Sequence, residues 1–222
     1  MKCINVFVEG QTEEAFIKDV VAPSLYHLNI FLYPRLLSTS KKGKGGAITY
    51  DRLHFHARNA LRQNPTWFLT TFFDLYALDN TFPEFNSIQS LNSPLDKANH
   101  LETALHNQIL NEFNIQPSQF FPHIQPYEYE GLLFSDVNQF GQVEPEWQRY
   151  QNQLMQIRNN FDTPEHINNS YQTAPSKRLE ALLDPKYRKT RHGPLLAKKI
   201  SLAIIENECE HFRQWLDRLR NV

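Results

Sequence analysis

The sequence predicts an α/β fold: a largely parallel sheet flanked by helices, with a mostly helical C-terminal part. Three observations predict it. Apolar runs of strand length alternate with helical periodicities through residues 1–140. The run from Trp67 to Phe73 is apolar or β-branched throughout, as a strand buried on both faces must be. From Glu144 onward the pattern is helical, divided into short pieces by Pro145, Pro164, Pro175, Pro185 and Pro194. Residues 1–140 therefore read as an α/β core and 141–222 as a helical extension packed on it. A chain of 222 residues is long enough to bury a sizeable core in this arrangement.

The first strand is written in the alternation of Ile4, Val6 and Val8 with Asn5 and Phe7, and it ends in Glu9-Gly10. Thr12 with Glu13, Glu14, Ala15, Phe16 and Ile17 then reads as a capped helix. Glu9 thus stands at the carboxyl end of a strand, the edge where open α/β sheets bind ligands. Acids in a first helical turn also complement the helix dipole, so Glu13 or Glu14 alone is weaker evidence than Glu9.

Ile30 to Leu37 is a second strand, placed near an edge by Pro34. Tyr50, Leu53, Phe55, Ala57, Ala60 and Leu61 predict a helix that stops at Asn64-Pro65. Trp67 to Phe73 is the central strand, and it ends in Asp74, an acid that must be solvated or paired. Tyr76, Asp79, Pro83 and Glu84 follow in a loop. Leu101, Ala104, Leu105, Ile109 and Leu110 mark one face of a helix reaching Phe113. Phe120 to Tyr127 is a third sheet segment despite two prolines, and it leads into Glu128-Tyr129-Glu130. In an extended chain these two glutamates share a face, and adjacent carboxylates call for a cation or a proton between them. Phe212 and Trp215, at helical spacing, are expected to pack in the core.

Glu9, Asp74 and Glu128/Glu130 each follow a different predicted strand. If those strands are parallel the acids converge on one edge, where carboxylates are ligands for hard cations such as Mg²⁺ or Mn²⁺. The net charge of -1 gives no global reason to expect nucleic acid. Between Ser176 and Lys199, however, eight basic residues (Lys177, Arg178, Lys186, Arg188, Lys189, Arg191, Lys198, Lys199) face only Glu180 and Asp184, a pattern suited to phosphate or to a solvated helix face. Lys44 lies in a second basic stretch, Lys41 to Gly46, which lacks the spacing of a nucleotide-binding P-loop.

Other chemistries find little support. Cys3 and Cys209 cannot frame a zinc site and read as packing residues. None of the nine histidines shows the paired helical spacing of a zinc hydrolase. There is no Gly-x-Ser-x-Gly elbow. No apolar stretch reaches the roughly 20 residues that cross a bilayer, and no secretion signal is seen, so a soluble, cytoplasmic protein is expected.

Val8-Glu9-Gly10-Gln11-Thr12-Glu13 resembles the opening motif of TOPRIM domains, the catalytic module of topoisomerases, bacterial primases and the overcoming-lysogenization-defect nucleases. The chain as a whole resembles the TOPRIM-like domain-of-unknown-function family 4276. The pieces that carry this are Val8 to Glu13, Gly45-Gly46, Phe73 to Tyr76, Tyr127 to Phe134, Pro175 to Leu179, and Gly193 to Phe212 and Trp215. The resemblance implies a TOPRIM-like, Rossmann-like sheet. It gives Glu9 as metal ligand or general acid/base, Glu13 as a second acid and Asp74 as the first aspartate of an Asp-x-Asp pair. Tyr76 stands where the second aspartate belongs, leaving Glu128, Glu130 or Asp79 to supply that carboxylate. Lys177 corresponds to a basic residue that neutralises charge on the scissile phosphate.

Two functions follow as expectations. One is a Mg²⁺- or Mn²⁺-dependent nuclease with Glu9, Asp74, Glu128 and Glu130 as metal ligands and Glu9, Glu13 and Lys177 in catalysis. Its nucleic-acid contacts would come from Lys44, Lys177, Arg178, Lys186, Arg188, Lys189 and Arg191. The resemblance further implies a separate ABC-type or AAA-type ATPase and a setting in phage defence. The other is a non-catalytic regulatory or nucleic-acid-binding module with a degenerate acidic site, which the missing aspartate favours.

Overall fold

The structure, a computed structural model, describes residues 1–37, 47–168 and 171–222, so Lys44 and the basic stretch around it lie outside the described residues. The chain runs through β1 (Lys2–Val8), α1 (Gln11–Phe16), a π-helical turn (Ile17–Val21), α2 (Ala22–Leu25), β2 (Ile30–Leu36), α3 (Tyr50–Gln63), β3 (Phe68–Asp74) and α4 (Pro94–Phe113). It continues through β4 (Phe120–Phe121), β5 (Ile124–Gln125), a 3-10 segment (Tyr129–Gln139), α5 (Phe140–Val143), α6 (Gln151–Asn159), α7 (Pro175–Leu182), α8 (Lys189–Ile200), α9 (Leu202–Glu208) and α10 (Glu210–Arg220).

All strand pairings are parallel, in the order β2-β1-β3, with β4 and β5 both paired to β3. Pro34 does mark an edge strand, β2, and the apolar run is central, as its composition requires. β4 and β5 keep one register against β3, with Leu69 facing Phe120 and Asp74 facing Gln125. They are two halves of a single line interrupted at Pro122-His123, where proline has no N–H to give. Thr71 Oγ1 bridges the gap, accepting from His123 N and donating to His123 O, both at 2.9 Å.

Alternation along the strands divides the core. Ile4, Val6, Val8, Ile30, Leu32, Phe72 and Phe121 face a cluster built with α1, α2, the 3-10 segment and α8 to α10. Phe7, Leu69, Phe73, Phe120 and Ile124 face the other side, against Leu53 and Ala57 of α3 and Leu101, Leu105 and Ile109 of α4. Both faces of a parallel sheet are thereby covered. Phe55, counted among the apolar positions of α3, is instead on its solvent side, 59% exposed. The C-terminal helices share one continuous core with β1 and β3, and Phe212 and Trp215 are buried within it. Cys3 and Cys209 are buried free thiols. Among the described residues no helix is long and apolar enough to cross a membrane.

One expectation needs correction. Glu128 and Glu130 are not neighbours on a strand, because β5 ends at Gln125 and the chain turns at Tyr127, whose φ of 62° is left-handed. Gly131 N then donates to Glu128 O at 3.0 Å, the first bond of the 3-10 segment that contains Glu130. The pair therefore does not share a face through period-two alternation.

Trp215 fastens α10 to the sheet: its indole Nε1 donates to Thr70 Oγ1 at 2.9 Å, and that hydroxyl donates to Phe121 O at 2.5 Å. Thr70→Val is expected to strand both groups and destabilise the protein by about 1–3 kcal/mol in urea unfolding. Its effect should be non-additive with Trp215→Phe by about 0.5 kcal/mol or more. Additive losses would show that the two side chains do not act together.

Candidate functional site

Because β1 and β3 are adjacent and parallel, their carboxyl ends deliver Glu9 and Asp74 to the same edge. Glu9 precedes α1, and Glu13 lies in that helix's first turn, 7% exposed. Gly10 between them is extended (φ -144°), a conformation open to any residue, but a Cβ there would stand 3.0 Å from Glu13 Oε2. Asp74, 6% exposed, is fixed by the backbone: its Oδ1 accepts from Tyr129 N at 2.7 Å. Glu128 Oε2 accepts from Ser176 N, in the first turn of α7, at 3.0 Å. Glu130 is 1% exposed, and its carboxylate accepts from Tyr187 Oη at 3.4 Å and Lys189 Nζ at 3.2 Å. Lys189 Nζ also lies 3.8 Å from Glu128 Oε1.

Lys189 opens α8, and Gly193 follows one turn later on the same side. A Cβ at Gly193 would meet Thr12 Cγ2 and Tyr187 Oη at 3.1 Å and Tyr129 Cε1 at 3.2 Å. The bare glycine lets α8 approach α1 closely and brings the ammonium of Lys189 among the acids.

The electrostatics follow from this crowding. Burial, then the charge of Glu13, pushes Glu9 up to about 7, with Lys189 opposing. Burial lifts Glu13 as well. Asp74 is held well above the usual carboxylate range by burial and then by Glu13, Glu9 and Glu130. Glu130 is pushed up to about 7, burial outweighing its ion pair with Lys189. Burial alone would lower Lys189, but Glu130, Glu128 and Asp74 outweigh it and hold its ammonium above the ordinary lysine value. Fully ionised, the five carboxylates and one ammonium would carry five negative charges against one positive, a net of -4. A buried site relieves such an excess by taking up protons or a cation. Among the described residues, Tyr129 Oη and Ser176 Oγ are buried without a hydrogen-bond partner, both on residues of this edge.

The remaining candidates go elsewhere. Tyr76 is 42% exposed, and its hydroxyl accepts from Asn168 Nδ2. Asp79 caps its own loop, its Oδ1 accepting from Thr81 N at 3.0 Å, and it is not among the charges acting on Asp74. Lys177 pairs with Glu180 at 3.1 Å. Arg178 donates to Thr173 O at 2.6 Å, with its guanidinium 5.7 Å from the Phe161 ring. Lys186, Arg188 and Arg191 are exposed, with Arg191 3.9 Å from Glu144. Lys189 alone of the basic segment joins the acids through ion pairs within 4 Å. Sequence reasoning did not separate it from its solvated neighbours, nor did it single out Tyr129, Ser176, Tyr187 or Gly193. The Lys189/Gly193 spacing, one turn of a helix, is a signal for those two alone; the other three lie on separate segments.

No curated protein and no solved structure matches the chain. The family model described as Domain of unknown function (DUF4276) matches residues 8–220, a span that includes Glu9, Glu13, Asp74, Glu128, Glu130 and Lys189, and the chain belongs to that family.

Proposed function

We propose that the chain is a TOPRIM-like, Mg²⁺- or Mn²⁺-dependent nuclease that hydrolyses phosphodiester bonds. The observation that supports this reading is the gathering of five mostly buried carboxylates around one ammonium at the carboxyl edge of a parallel sheet. The chemistry of the donor set suits a hard cation, carboxylate oxygens with the unpartnered hydroxyls of Tyr129 and Ser176 beside them, but no three of these carboxylates place oxygens within 4.8 Å of one another, so the ion would have to draw them together. Glu9, Asp74, Glu128 and Glu130 would hold the ion, which supplies Lewis-acid stabilisation of charge on a phosphate. Glu9, raised to about 7, can hold or release a proton near physiological pH, and burial shifts Glu13 in the same direction. Lys189, 3.2 Å from Glu130, takes in this reading the charge-neutralising role that resemblance gave to Lys177. The exposed Lys186, Arg188 and Arg191 supply phosphate contacts. A separate ABC-type or AAA-type ATPase and a role in phage defence belong to the same proposal.

A second reading, a non-catalytic binding module, is favoured by two observations. Tyr76 occupies the position of the missing acid and bonds to Asn168 instead. Lys189 already neutralises part of the cluster.

Melting in the presence of Mg²⁺ separates the readings without requiring a substrate. At about 100 times its dissociation constant the ion should stabilise the wild type by roughly 2.7 kcal/mol. Asp74→Asn, which keeps an acceptor for Tyr129 N, should lose that shift and any Mg²⁺-dependent cleavage of nucleic acid. Absence of a shift in the wild type would overturn the nuclease reading. Lys189→Met should lower the melting temperature without metal and enlarge the Mg²⁺ shift, because the resident positive charge is gone; an unchanged shift would place the ion away from Lys189.

The metal-free protein should also carry a pH signature. Glu9 has a folded pKa of about 7 against an ordinary 4.5, so its protonated form is favoured in the folded state. The corresponding stability is present below about 4.5 and is lost as pH rises through about 7. Glu13, Lys189 and Glu128 face Glu9 and remain in place in a Glu9→Gln variant. The variant should therefore lose less melting temperature than wild type between pH 4.5 and 7, and parallel profiles would show that Glu9 is solvated.

A further inference from the structure

We infer that Glu102, His123 and His211 form a second metal site, of the two-histidine, one-carboxylate kind that takes Zn²⁺. Glu102 comes from α4, His123 from the break between β4 and β5, and His211 from the first turn of α10. One donor atom from each lies within 4.8 Å of the others, and among the described residues no other group of three histidine, cysteine or acidic side chains meets that condition. Glu102 Oε1 is 2.8 Å from His211 Nε2 and 3.7 Å from His123 Nδ1. Zinc bonds of about 2.0–2.1 Å place tetrahedral ligands about 3.3 Å apart, between those two separations.

A simple ion pair of His211 with Glu102 accounts for only part of this arrangement. His123 is 1% exposed, and its ring stacks on that of His211 with centroids 4.8 Å apart. Its Nε2 lies 3.2 Å from Gln125 Oε1, while Gln125 Nε2 is turned to Glu165 Oε1 at 3.5 Å. With the amide so oriented, His123 carries its proton on Nε2 and presents the lone pair of Nδ1 to the Glu102 carboxylate. Two acceptors facing each other in a buried place want a positive charge between them. His211 Nε2 lies 2.8 Å from Glu102 Oε1 and 3.2 Å from Ile124 O, two acceptors that it serves as an N–H, so a metal would take the place of that proton; Nδ1, turned away from Glu102, is buried without a hydrogen-bond partner.

The surroundings complete the site. Gln125 supplies the outer hydrogen bond typical of a metal-bound histidine. A cavity of about 30 Å³, room for about one water, is lined by Glu102, His123, His211, Gln214, Trp215 and Arg218. Glu102 and Arg218 also line a neighbouring cleft of about 630 Å³. Arg218 opposes a bare cation but suits an anionic fourth ligand such as hydroxide or a phosphate oxygen. Sequence periodicity gives no hint of the trio, since Glu102 and His211 stand 109 residues apart.

The test uses the full chain, stripped with a chelator and carrying Asp74→Asn so that the acidic edge is silenced. Co²⁺ serves as optical probe and Zn²⁺ as competitor. One equivalent of Co²⁺ should give the visible absorption of a low-symmetry site, and Zn²⁺ should displace it. Glu102→Gln, which keeps an acceptor for Ile124 N, should weaken Zn²⁺ binding at least tenfold, and so should His123→Gln. Failure of the Asp74→Asn chain to bind Co²⁺ or Zn²⁺ would overturn the proposal, as would unchanged affinity in Glu102→Gln. The Mg²⁺ melting shift of an otherwise wild-type chain carrying Glu102→Gln should be intact. The acidic edge and this trio thus succeed or fail separately.

Discussion

The ammonium of Lys189 sits where the packing and the electrostatics of this molecule meet. Adjacent parallel strands cannot end in acids without bringing them together, and here Glu9 and Asp74 are joined by Glu13, Glu128 and Glu130. Coulomb repulsion among such groups is weak in water and strong in a protein interior. The fold meets it with one cation on the first residue of α8, held in place because Gly193 lets that helix lie against Thr12 and Tyr129. That single charge covers only part of the excess, and the residual polarity gives the edge its appetite for protons or metal.

A second polar device organises the junction of the sheet with the C-terminal helices. A parallel sheet must be covered on both faces, and α8 to α10 cover one of them with Phe212 and Trp215 in the core. Apolar burial is non-directional, so it fixes the layer but not its register. The hydroxyls of Thr70 and Thr71 give direction: one takes the Trp215 N–H and the other spans the Pro122-His123 interruption. At the same interruption His123 N turns to Thr71 while its carbonyl accepts from Phe73 N, and its ring stacks on His211.

Much of this was legible in the sequence, for identifiable reasons. Trp67 to Phe73 was the best candidate for a doubly covered strand and Pro34 pointed to an edge, and both stand where that reading put them. Once those strands were parallel, the meeting of Glu9 and Asp74 followed from topology. Glu128 and Glu130 were read correctly as neighbours of the site but for the wrong reason, since Tyr127 turns the chain through a left-handed conformation that no periodicity announces. Lys189 was hidden in a run of solvated basic residues, because charge pattern carries no information about which member a glycine-mediated helix contact will bury. Glu102, His123 and His211 come from three separate elements, and their meeting is a property of the tertiary fold alone.

Gly193 gives the fold a form of leverage. It has no side chain, no charge and no hydrogen-bonding group of its own beyond the backbone, yet a Cβ added there would meet side-chain atoms of Thr12, Tyr187 and Tyr129 at 3.1–3.2 Å. A larger residue needs a few tenths of an ångström from those side chains or from α8 itself, and Lys189 is carried on that helix. Under evolutionary selection such a position behaves as part of the acidic centre: its tolerance for substitution is governed by the charge balance one helical turn away, and drift at a chemically silent residue becomes a means of retuning the site.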